Sequence, residues 1–275
     1  MNVAASIGEA RARLAQLTRP LGFVPTMGAL HAGHLRLVEA ARAQCHSVAA
    51  SVFVNPMQFG PGEDFERYPR DDAGDREKLA AAGVALLFAP EESAMYPAGF
   101  GTSVDVGAPG TGFEGSSRPT HFAGVATVVT KLLTIVAPDV LYVGQKDAQQ
   151  TAVLRALVRD LDFQTRVEIV PTVRDPDGLA LSSRNAYLTE RERAAAPSLY
   201  AALQATLAAF HAGETKPRAL ERGRAFVSPE AQLEYLDVVN ADTFAVLEEL
   251  KPPAFIIGAA RFGRTRLLDN LLVLS

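Results

Sequence analysis

Short apolar runs rich in β-branched residues alternate with segments of helical periodicity along the first two thirds of the chain. Runs of the first kind predict buried strands, and apolar residues that recur every three or four positions predict amphipathic helices. The predicted strands are 21–25, 48–54, 84–88, 140–143 and 167–170, and the predicted helices between them are 33–44, 71–82, 125–137 and 148–159. Strands separated by helices form βαβ units, so the predicted fold class is α/β with a doubly wound, mostly parallel sheet.

The pattern changes after about residue 175. A long helical segment at 190–212 and a helix at 216–227 are followed by strand-like runs at 233–239, 254–260 and 265–268. Helices followed by consecutive strands predict a smaller C-terminal α+β domain. The turn-rich sequence RDPDG at 174–178 marks the boundary, which gives predicted domains of 1–175 and 176–275.

Composition narrows the class of protein further. The 275 residues carry a net charge of −4 and are 48% apolar, which is typical of a globular protein and argues against a nucleic-acid partner. The single Cys45 cannot form an internal disulfide, and the apolar runs are too short to cross a membrane. The N-terminal arginines leave a transit peptide as an alternative, but a surface helix with Leu14 and Leu17 facing inward is favoured. We therefore expect a cytoplasmic protein.

The first motif, PTMGALHAGHLRLV at 25–38, lies between a predicted strand and a predicted helix. Backbone N–H groups and the positive helix end at such a junction bind phosphate, and Gly28 and Gly33 permit close backbone approach. His31 and His34 are spaced so that both imidazoles can point at one ligand. A metal pair is the alternative, but no acidic or cysteine partner stands nearby at ligand spacing, which favours phosphate.

This H-x-G-H motif resembles the first signature of class I aminoacyl-tRNA synthetases and of the related nucleotidyltransferases. In that superfamily the histidines hold the triphosphate and stabilise transfer to the α-phosphate. The resemblance therefore implies a superfamily and leaves the substrate open.

Two further motifs also follow predicted strands. In SVFVNPMQFGPGEDFERYPRD at 51–71, Asn55 and Gln58 offer neutral hydrogen-bonding groups to a small polar ligand, and an ordinary surface loop is the alternative. In YVGQKDAQQ at 142–150, Lys146 suits phosphate, Asp147 suits a helix cap or a ribose, and Gln150 faces the same side. A solvated Lys–Asp pair is the alternative for this motif.

Two loops complete the set. DGLALSSRN at 177–185 has two hydroxyl groups followed by Arg184, which suits a phosphate-binding lid. A simple serine-capped turn would have the same local sequence and is the alternative. SRPTHFAGV at 117–125 is predicted to be a loop before a helix, and His121 is either a site residue or a packed surface histidine.

Taken together and in this order, these motifs and TRLLDN near the C-terminus resemble the pantoate–β-alanine ligase family over nearly the whole chain. The resemblance implies that the chain joins pantoate to β-alanine with ATP and Mg²⁺, and releases AMP and pyrophosphate. It also implies a cytosolic homodimer with a Rossmann-like nucleotide- and pantoate-binding domain and a C-terminal lid. No motif fixes the magnesium ligands, and ATP oxygens with water are expected to supply most of them.

The resemblance also carries residue roles to matching positions. His34 is the implied proton donor, with His31, Lys146 and Arg184 as further catalytic groups. Gln58 and Gln150 are implied to hold pantoate, with Asn55 beside them. The implied ATP-binding residues are Met27, Gly28, Ala29, Leu30, His31, Ala32, Gly33, His34, Gly144, Gln145, Lys146, Asp147, Val173, Leu181, Ser182, Ser183 and Arg184.

Gln145 and Leu181 depart from the family pattern, where Glu and Met are expected. Since Lys146 and the Ser-Ser-Arg run remain, the implied phosphate contacts are retained. Another H-x-G-H nucleotidyltransferase is the alternative enzyme, and a non-catalytic nucleotide sensor is the alternative of a different class. The glutamine pair, without a second phosphate-binding arginine cluster, argues against the first of these alternatives. Retention of the histidines and Lys146 argues against the second.

Overall fold

The computed structural model describes residues Met1–Leu274. Its internal contacts divide the chain into two compact units. The first unit consists of Met1–Gly144 and Val153–Val170, and the second consists of Gln145–Ala152 and the chain from Pro171 onward.

A parallel sheet forms the centre of the first unit and confirms the predicted doubly wound α/β class. Within residues 1–274 this sheet has six strands in the order β1-β4-β3-β2-β5-β6. Their bounds are β1 (Asn2–Ala4), β2 (Leu21–Thr26), β3 (Ser47–Val52), β4 (Leu86–Phe88), β5 (Val140–Gly144) and β6 (Arg166–Val170). From β2 the chain runs outward to β4 on one side, and from β5 to β6 on the other. The strand order therefore reverses between β2 and β5, where ligands bind in sheets of this kind.

Helices cover both faces of this sheet. They are α1 (Ile7–Leu14), α2 (Ala32–Gln44), α3 (Asp72–Ala81), α4 (Glu92–Met95), α5 (Phe113–Ser117), α6 (His121–Val136) and α7 (Ala148–Asp160). Successive side chains of a strand point to opposite faces. Phe23 of β2 accordingly packs in one apolar cluster with Val129 of α6, and its neighbour Val24 packs in a second cluster with Val38 of α2.

The second unit is α+β, as predicted. Its helices from Pro171 onward are α8 (Glu190–Ala195), α9 (Ser198–His211) and α10 (Lys216–Arg224), and its strands are β7 (Ala231–Asn240), β8 (Ala254–Phe262) and β9 (Thr265–Val273). In the described part of the chain the strands form a three-stranded antiparallel sheet in the order β7-β8-β9. Leu203 of α9 and Leu220 of α10 pack against Val238 and Ile256 of this sheet.

Strand β1 and helices α4 and α5 have no counterpart among the predicted elements. Three predicted elements differ from the structure by a break or by four or more residues at one end. The single helix at 190–212 is wrong, because Pro197 has no N–H to continue the α8 ladder and instead caps α9. The helix predicted at 125–137 begins earlier, so His121 is a helical residue. The strand predicted at 265–268 extends through the polar pair Asp269–Asn270 to Val273. Within residues 1–274 there is no helix long and apolar enough to span a membrane.

Candidate active site

The turn after β2 has an unusual backbone conformation. Gly28 and Ala29 both have positive φ values, 83° and 51°, so that consecutive N–H groups turn to the same side. Two hydrogen bonds fix the start of the turn, since Thr26 Oγ1 accepts from Gly28 N at 3.2 Å and donates to Ser51 O at 2.8 Å. This conformation brings the chain directly into His31, the N-cap of α2.

Both histidines of the H-x-G-H motif cap the first turn of α2. His31 Nδ1 accepts from Gly33 N at 3.1 Å, and His34 Nδ1 accepts from His31 N at 3.3 Å. The ring centroids lie 4.2 Å apart. A Cβ on Gly33 would lie 2.8 Å from His31 Cε1, so the glycine leaves the space that the capping imidazole occupies.

These hydrogen bonds determine which ring nitrogens can donate. Because each Nδ1 accepts a backbone N–H, the proton of each neutral imidazole lies on Nε2. The helix N-terminus thus presents two adjacent Nε2–H donors together with its own partial positive charge. This arrangement suits phosphate oxygens, and it supports the phosphate interpretation of the motif.

Asp75, which the sequence interpretation missed, holds the same turn. It is 1% exposed, and its carboxylate accepts from Ala29 N at 2.8 Å and Leu30 N at 2.7 Å. Lys78 lies 3.9 Å from this carboxylate and donates to Leu30 O at 3.0 Å. The available sequence signal was an acidic residue four positions before Leu79 on the buried face of α3.

Asn55 lies at the centre of a buried hydrogen-bond network after β3. It is 1% exposed, and its Oδ1 accepts from Met57 N at 3.3 Å and from the Tyr96 hydroxyl at 2.7 Å. Its Nδ2 donates to Gln58 Oε1 and Gly124 O, both at 3.1 Å. Burial raises the pKa of Tyr96, which keeps its hydroxyl a proton donor to Asn55.

Gln58 connects this loop to the turn after β2, since its Nε2 donates to Met27 Sδ at 3.0 Å. The backbone carbonyl oxygen of Gln58 accepts from His121 Nδ1 and Arg118 Nη2, both at 3.0 Å. Arg118 also bonds Glu63, with Nε–Oε1 at 2.9 Å. His121 is therefore a buried residue that fixes the backbone of Gln58. The contact between Gln58 and Met27 brings the first two predicted motifs together within one unit.

In the second unit, Lys146 and the predicted serine loop line one small cleft. Its lining includes Lys146, Ser182, Asn185, Tyr200 and Asp269. The Lys146 side chain is 22% exposed, and its Nζ lies 3.4 Å from Asp147 Oδ1. Gln150 is half-buried in the first turn of α7.

The predicted loop at 177–185 begins inside a tight hairpin. Leu181 N donates to Val173 O and Asp175 N donates to Leu179 O, at 2.9 and 2.8 Å. Arg193 bonds Asp175 and Asp177, and this contact lowers the pKa of Asp177.

The hairpin leads into a 3₁₀ helix at Ser183–Tyr187, whose N-cap Ser182 accepts from Arg184 N at 3.3 Å. The serine-capped turn is thus present, and it places the Ser-Ser-Arg run at a helix start.

Among residues 1–274, no group of three or more His, Cys, Asp or Glu side chains is arranged to hold a metal ion. The turn at 27–34 and the segments at 144–147 and 181–184 instead offer imidazole, ammonium, guanidinium and backbone N–H groups. These donors match phosphate oxygens and neutral polar ligands.

A parallel sheet with a doubly capped H-x-G-H turn at the carboxyl end of β2 defines a nucleotide-binding α/β protein of the H-x-G-H class. The family model described as pantoate-beta-alanine ligase matches residues 2–272. The chain belongs to the pantoate–β-alanine ligase family, as its sequence motifs predict.

The individual relatives that the chain resembles are named pantothenate synthetase or pantoate-beta-alanine ligase. The chain is 53% identical over 278 residues to the pantothenate synthetase of Chloroflexus aggregans, with 100% of both chains covered. It is similar to the crystal structure of pantothenate synthetase from Thermus thermophilus, with a TM-score of 0.95, 49% identity and full coverage of both chains. It is also similar to the pantoate-beta-alanine ligase of Francisella tularensis complexed with beta-gamma ATP and beta-alanine. There the TM-score is 0.81 at 34% identity, with 99% of this chain and 97% of that chain covered.

Proposed function

We propose that this chain joins pantoate to β-alanine with ATP, through a pantoyl-adenylate intermediate, and releases pyrophosphate and AMP. Family membership supports the overall reaction. The observation that carries the mechanism is that His31 and His34 each accept a backbone N–H at Nδ1 at the start of α2, which makes Nε2 the donor nitrogen of each neutral ring.

The first step is adenylation. A pantoate carboxylate oxygen attacks the α-phosphorus of ATP, and the bond from that phosphorus to the bridging oxygen breaks, so pyrophosphate leaves with the electron pair. Negative charge grows on the phosphoryl oxygens, and preorganised donors stabilise that charge. We assign this role to His31, His34, Lys146 and Arg184. His34 would donate a hydrogen bond from Nε2–H to the leaving group, because its Nδ1 accepts from His31 N.

The remaining ATP contacts are proposed to come from backbone and small side chains. The turn 27–34 offers N–H groups at a helix start, and Ser182 and Ser183 offer hydroxyls beside Lys146. Gly144, Gln145, Asp147, Val173 and Leu181 complete the proposed set. The proposal thus takes the histidine contacts from the first unit, takes Lys146 and the Ser-Ser-Arg run from the second unit, and gives the C-terminal domain the role of a lid.

Pantoate is a small polar carboxylate, and neutral amides suit it. We assign Gln58 and Gln150 to this ligand. Since Asn55 uses both its amide hydrogens and its oxygen within the protein, it acts on pantoate by fixing the amide of Gln58. Gln58 also lies beside the incoming β-alanine in this proposal.

In the second step the amine of β-alanine attacks the carbonyl carbon of the adenylate. An amide bond forms, the bond from that carbon to the AMP oxygen breaks, and the amine loses a proton. No protein nucleophile is needed. The enclosed adenylate has to be kept from water, which is the function proposed for the lid.

Mg²⁺ and the assembly are further parts of the proposal. ATP oxygens and water would hold Mg²⁺, which would neutralise phosphate charge there. We propose a homodimer in the cytoplasm, which light scattering of the purified chain would test as twice the chain mass.

Pyrophosphate exchange tests the reaction order. With ATP, Mg²⁺ and pantoate but no β-alanine, labelled pyrophosphate should enter ATP, because adenylation is reversible and precedes amine attack. Adding β-alanine should then produce AMP and pantothenate together. Exchange without pantoate would indicate an adenylylated enzyme, and exchange only with β-alanine present would indicate a concerted reaction. A dinucleotide product would indicate a nucleotidyltransferase, and ATP binding without turnover would indicate a nucleotide sensor.

A further inference from the structure

Strand β9 carries two adjacent buried polar residues between two pairs of leucines. Asp269 is 6% exposed and Asn270 is 1% exposed, with leucines on both sides of the pair along the chain. Buried polar groups destabilise a fold unless they are hydrogen-bonded, so their partners show what the pair contributes.

Asp269 fixes the strand backbone through Arg174. Arg174 donates from Nη1 and Nη2 to the two carboxylate oxygens at 2.5 and 2.8 Å, and its guanidinium lies 3.7 Å from the centroid of the Tyr200 ring. The same guanidinium donates to Asn270 O at 3.1 Å. Arg174 therefore holds the backbone of Asn270 independently of the contacts that the Asn270 side chain makes.

The side chain of Asn270 bonds a loop 124 and 125 residues earlier in the chain. Its Nδ2 donates to Gln145 O and Lys146 O, both at 2.9 Å, and its Oδ1 accepts from Gln145 Nε2 at 3.1 Å. Both amide hydrogens and the amide oxygen are thus used on two consecutive residues. Fixing two successive carbonyls sets the backbone from which the Lys146 side chain extends.

We propose that Asn270 is a positioning residue that acts through Lys146 in the adenylation step. The inference rests on the proposed function, in which Lys146 contacts the transferring phosphates. A transition-state donor is effective only when it is held in place beforehand, and a displacement of about 1 Å can cost 10²-fold in rate. Only an amide at position 270 both donates to two carbonyls and accepts from Gln145.

The same geometry gives Gln145 a role, although the family resemblance predicts Glu there. The Gln145 amide donates to Asn270 Oδ1, and a carboxylate at 145 would place an acceptor against that oxygen. Turning the Asn270 amide over would relieve this contact but would set its oxygen against the two backbone carbonyls. Gln145 and Asn270 are therefore matched, and Gln145→Glu tests the match from the loop side.

The test is a double-mutant cycle between Asn270→Asp and Lys146→Ala. Aspartate keeps the size of the side chain but replaces the donor by an acceptor that faces Gln145 O and Lys146 O. In the wild-type background we expect pantoate-dependent pyrophosphate exchange to fall by roughly 10- to 100-fold. In the Lys146→Ala background we expect less than about a 2-fold further change, because the group that Asn270 positions is gone. The KM for β-alanine in the complete reaction should not change.

Matched variants separate positioning from stability. Val273→Ala removes buried apolar volume from the same strand, on the side of the Leu203 cluster, and should lower the midpoint of urea unfolding without lowering exchange. Gln145→Glu changes a half-buried loop residue and should lower exchange in the same direction as Asn270→Asp. If Asn270→Asp does not fold, Gln145→Glu replaces it in the cycle with Lys146→Ala.

Two results would overturn the inference. One is an equal loss of exchange from Asn270→Asp in both backgrounds, and the other is a loss from Val273→Ala that matches the loss from Asn270→Asp. Failure of the proposed function would look different, because the wild type itself would then show no pantoate-dependent exchange. ATP affinity measured by calorimetry would still test positioning in that case. Asn270→Asp should weaken ATP binding when Lys146 is present and leave it unchanged in Lys146→Ala, and equal weakening in both would refute the inference.

Discussion

Replacing Gly33 by alanine should abolish most activity while leaving the fold nearly as stable. The added Cβ would lie 2.8 Å from His31 Cε1 and 2.9 Å from His31 Nδ1, so the imidazole has to move. Movement breaks the hydrogen bond from Gly33 N to His31 Nδ1 and displaces the Nε2–H that we assign to phosphate.

The two consequences differ in size. Loss of an N-cap hydrogen bond costs about 1 kcal/mol, whereas alanine in place of glycine in a helix contributes about 0.5–1 kcal/mol in the opposite direction. The free energy of unfolding should therefore change by less than about 1 kcal/mol. Loss of one positioned donor to a transition state typically lowers kcat by roughly 10²–10³.

Gly8 provides the matched control, because it is the second residue of α1 just as Gly33 is the second residue of α2. A Cβ on Gly8 would meet nothing within 4 Å. Gly8→Ala should stabilise the protein by about 0.5–1 kcal/mol, with unchanged activity.

The assays are pantoate-dependent pyrophosphate exchange, kcat of the complete reaction, and urea unfolding of the wild type and both variants. In a double variant with His31→Ala, the loss caused by Gly33→Ala should largely disappear, because the displaced ring is absent. The reasoning would be refuted if Gly33→Ala kept activity within about 3-fold of the wild type. It would also be refuted if activity and stability fell together.

Three further predictions concern other contacts. Lys146→Ala should lower kcat by roughly 10²–10³ with an unchanged unfolding midpoint, and a parallel fall in that midpoint would show a structural role instead. Asn55→Ala should destabilise the fold by on the order of 2–4 kcal/mol, because it leaves several buried groups unpaired, and should raise the KM for pantoate. A stable Asn55→Ala variant with normal KM would contradict the assigned network. Arg193 lowers the pKa of Asp177. The Arg193–Asp177 pair therefore stabilises the fold above about pH 4, and this stabilisation is lost as the pH falls through the lowered pKa of Asp177. The difference in unfolding midpoint between wild type and Arg193→Gln should therefore shrink from pH 6 to pH 3, and a constant difference would argue against this pair.

The sequence predicted the features that depend on local interactions. Strands β2 to β6 and helices α2, α3, α6 and α7 follow from apolar periodicity, because burial on a sheet face or a helix stripe requires that spacing. The H-x-G-H turn is also local, since His31 and His34 each accept a hydrogen bond from a backbone N–H no more than three residues away. A local signal was available even where the prediction failed, because Pro197 marks the break between α8 and α9.

The tertiary structure decided what holds these local features in place. Asp75 reaches the turn after β2 from 45 residues away, and Asn270 reaches the Lys146 loop from 124 residues away. Neither pairing has a periodic signal, because such partners are set by the packing of α3 beside its sheet and by the register of β9. His121 likewise acquires its role only when α6 packs against the turn at Pro56–Gln58. The sequence by itself thus determined which groups can act on phosphate, since that is a property of residue type and local turn. Only folding determined which buried polar residues position those groups, because burial requires each one to find a partner wherever the chain places it.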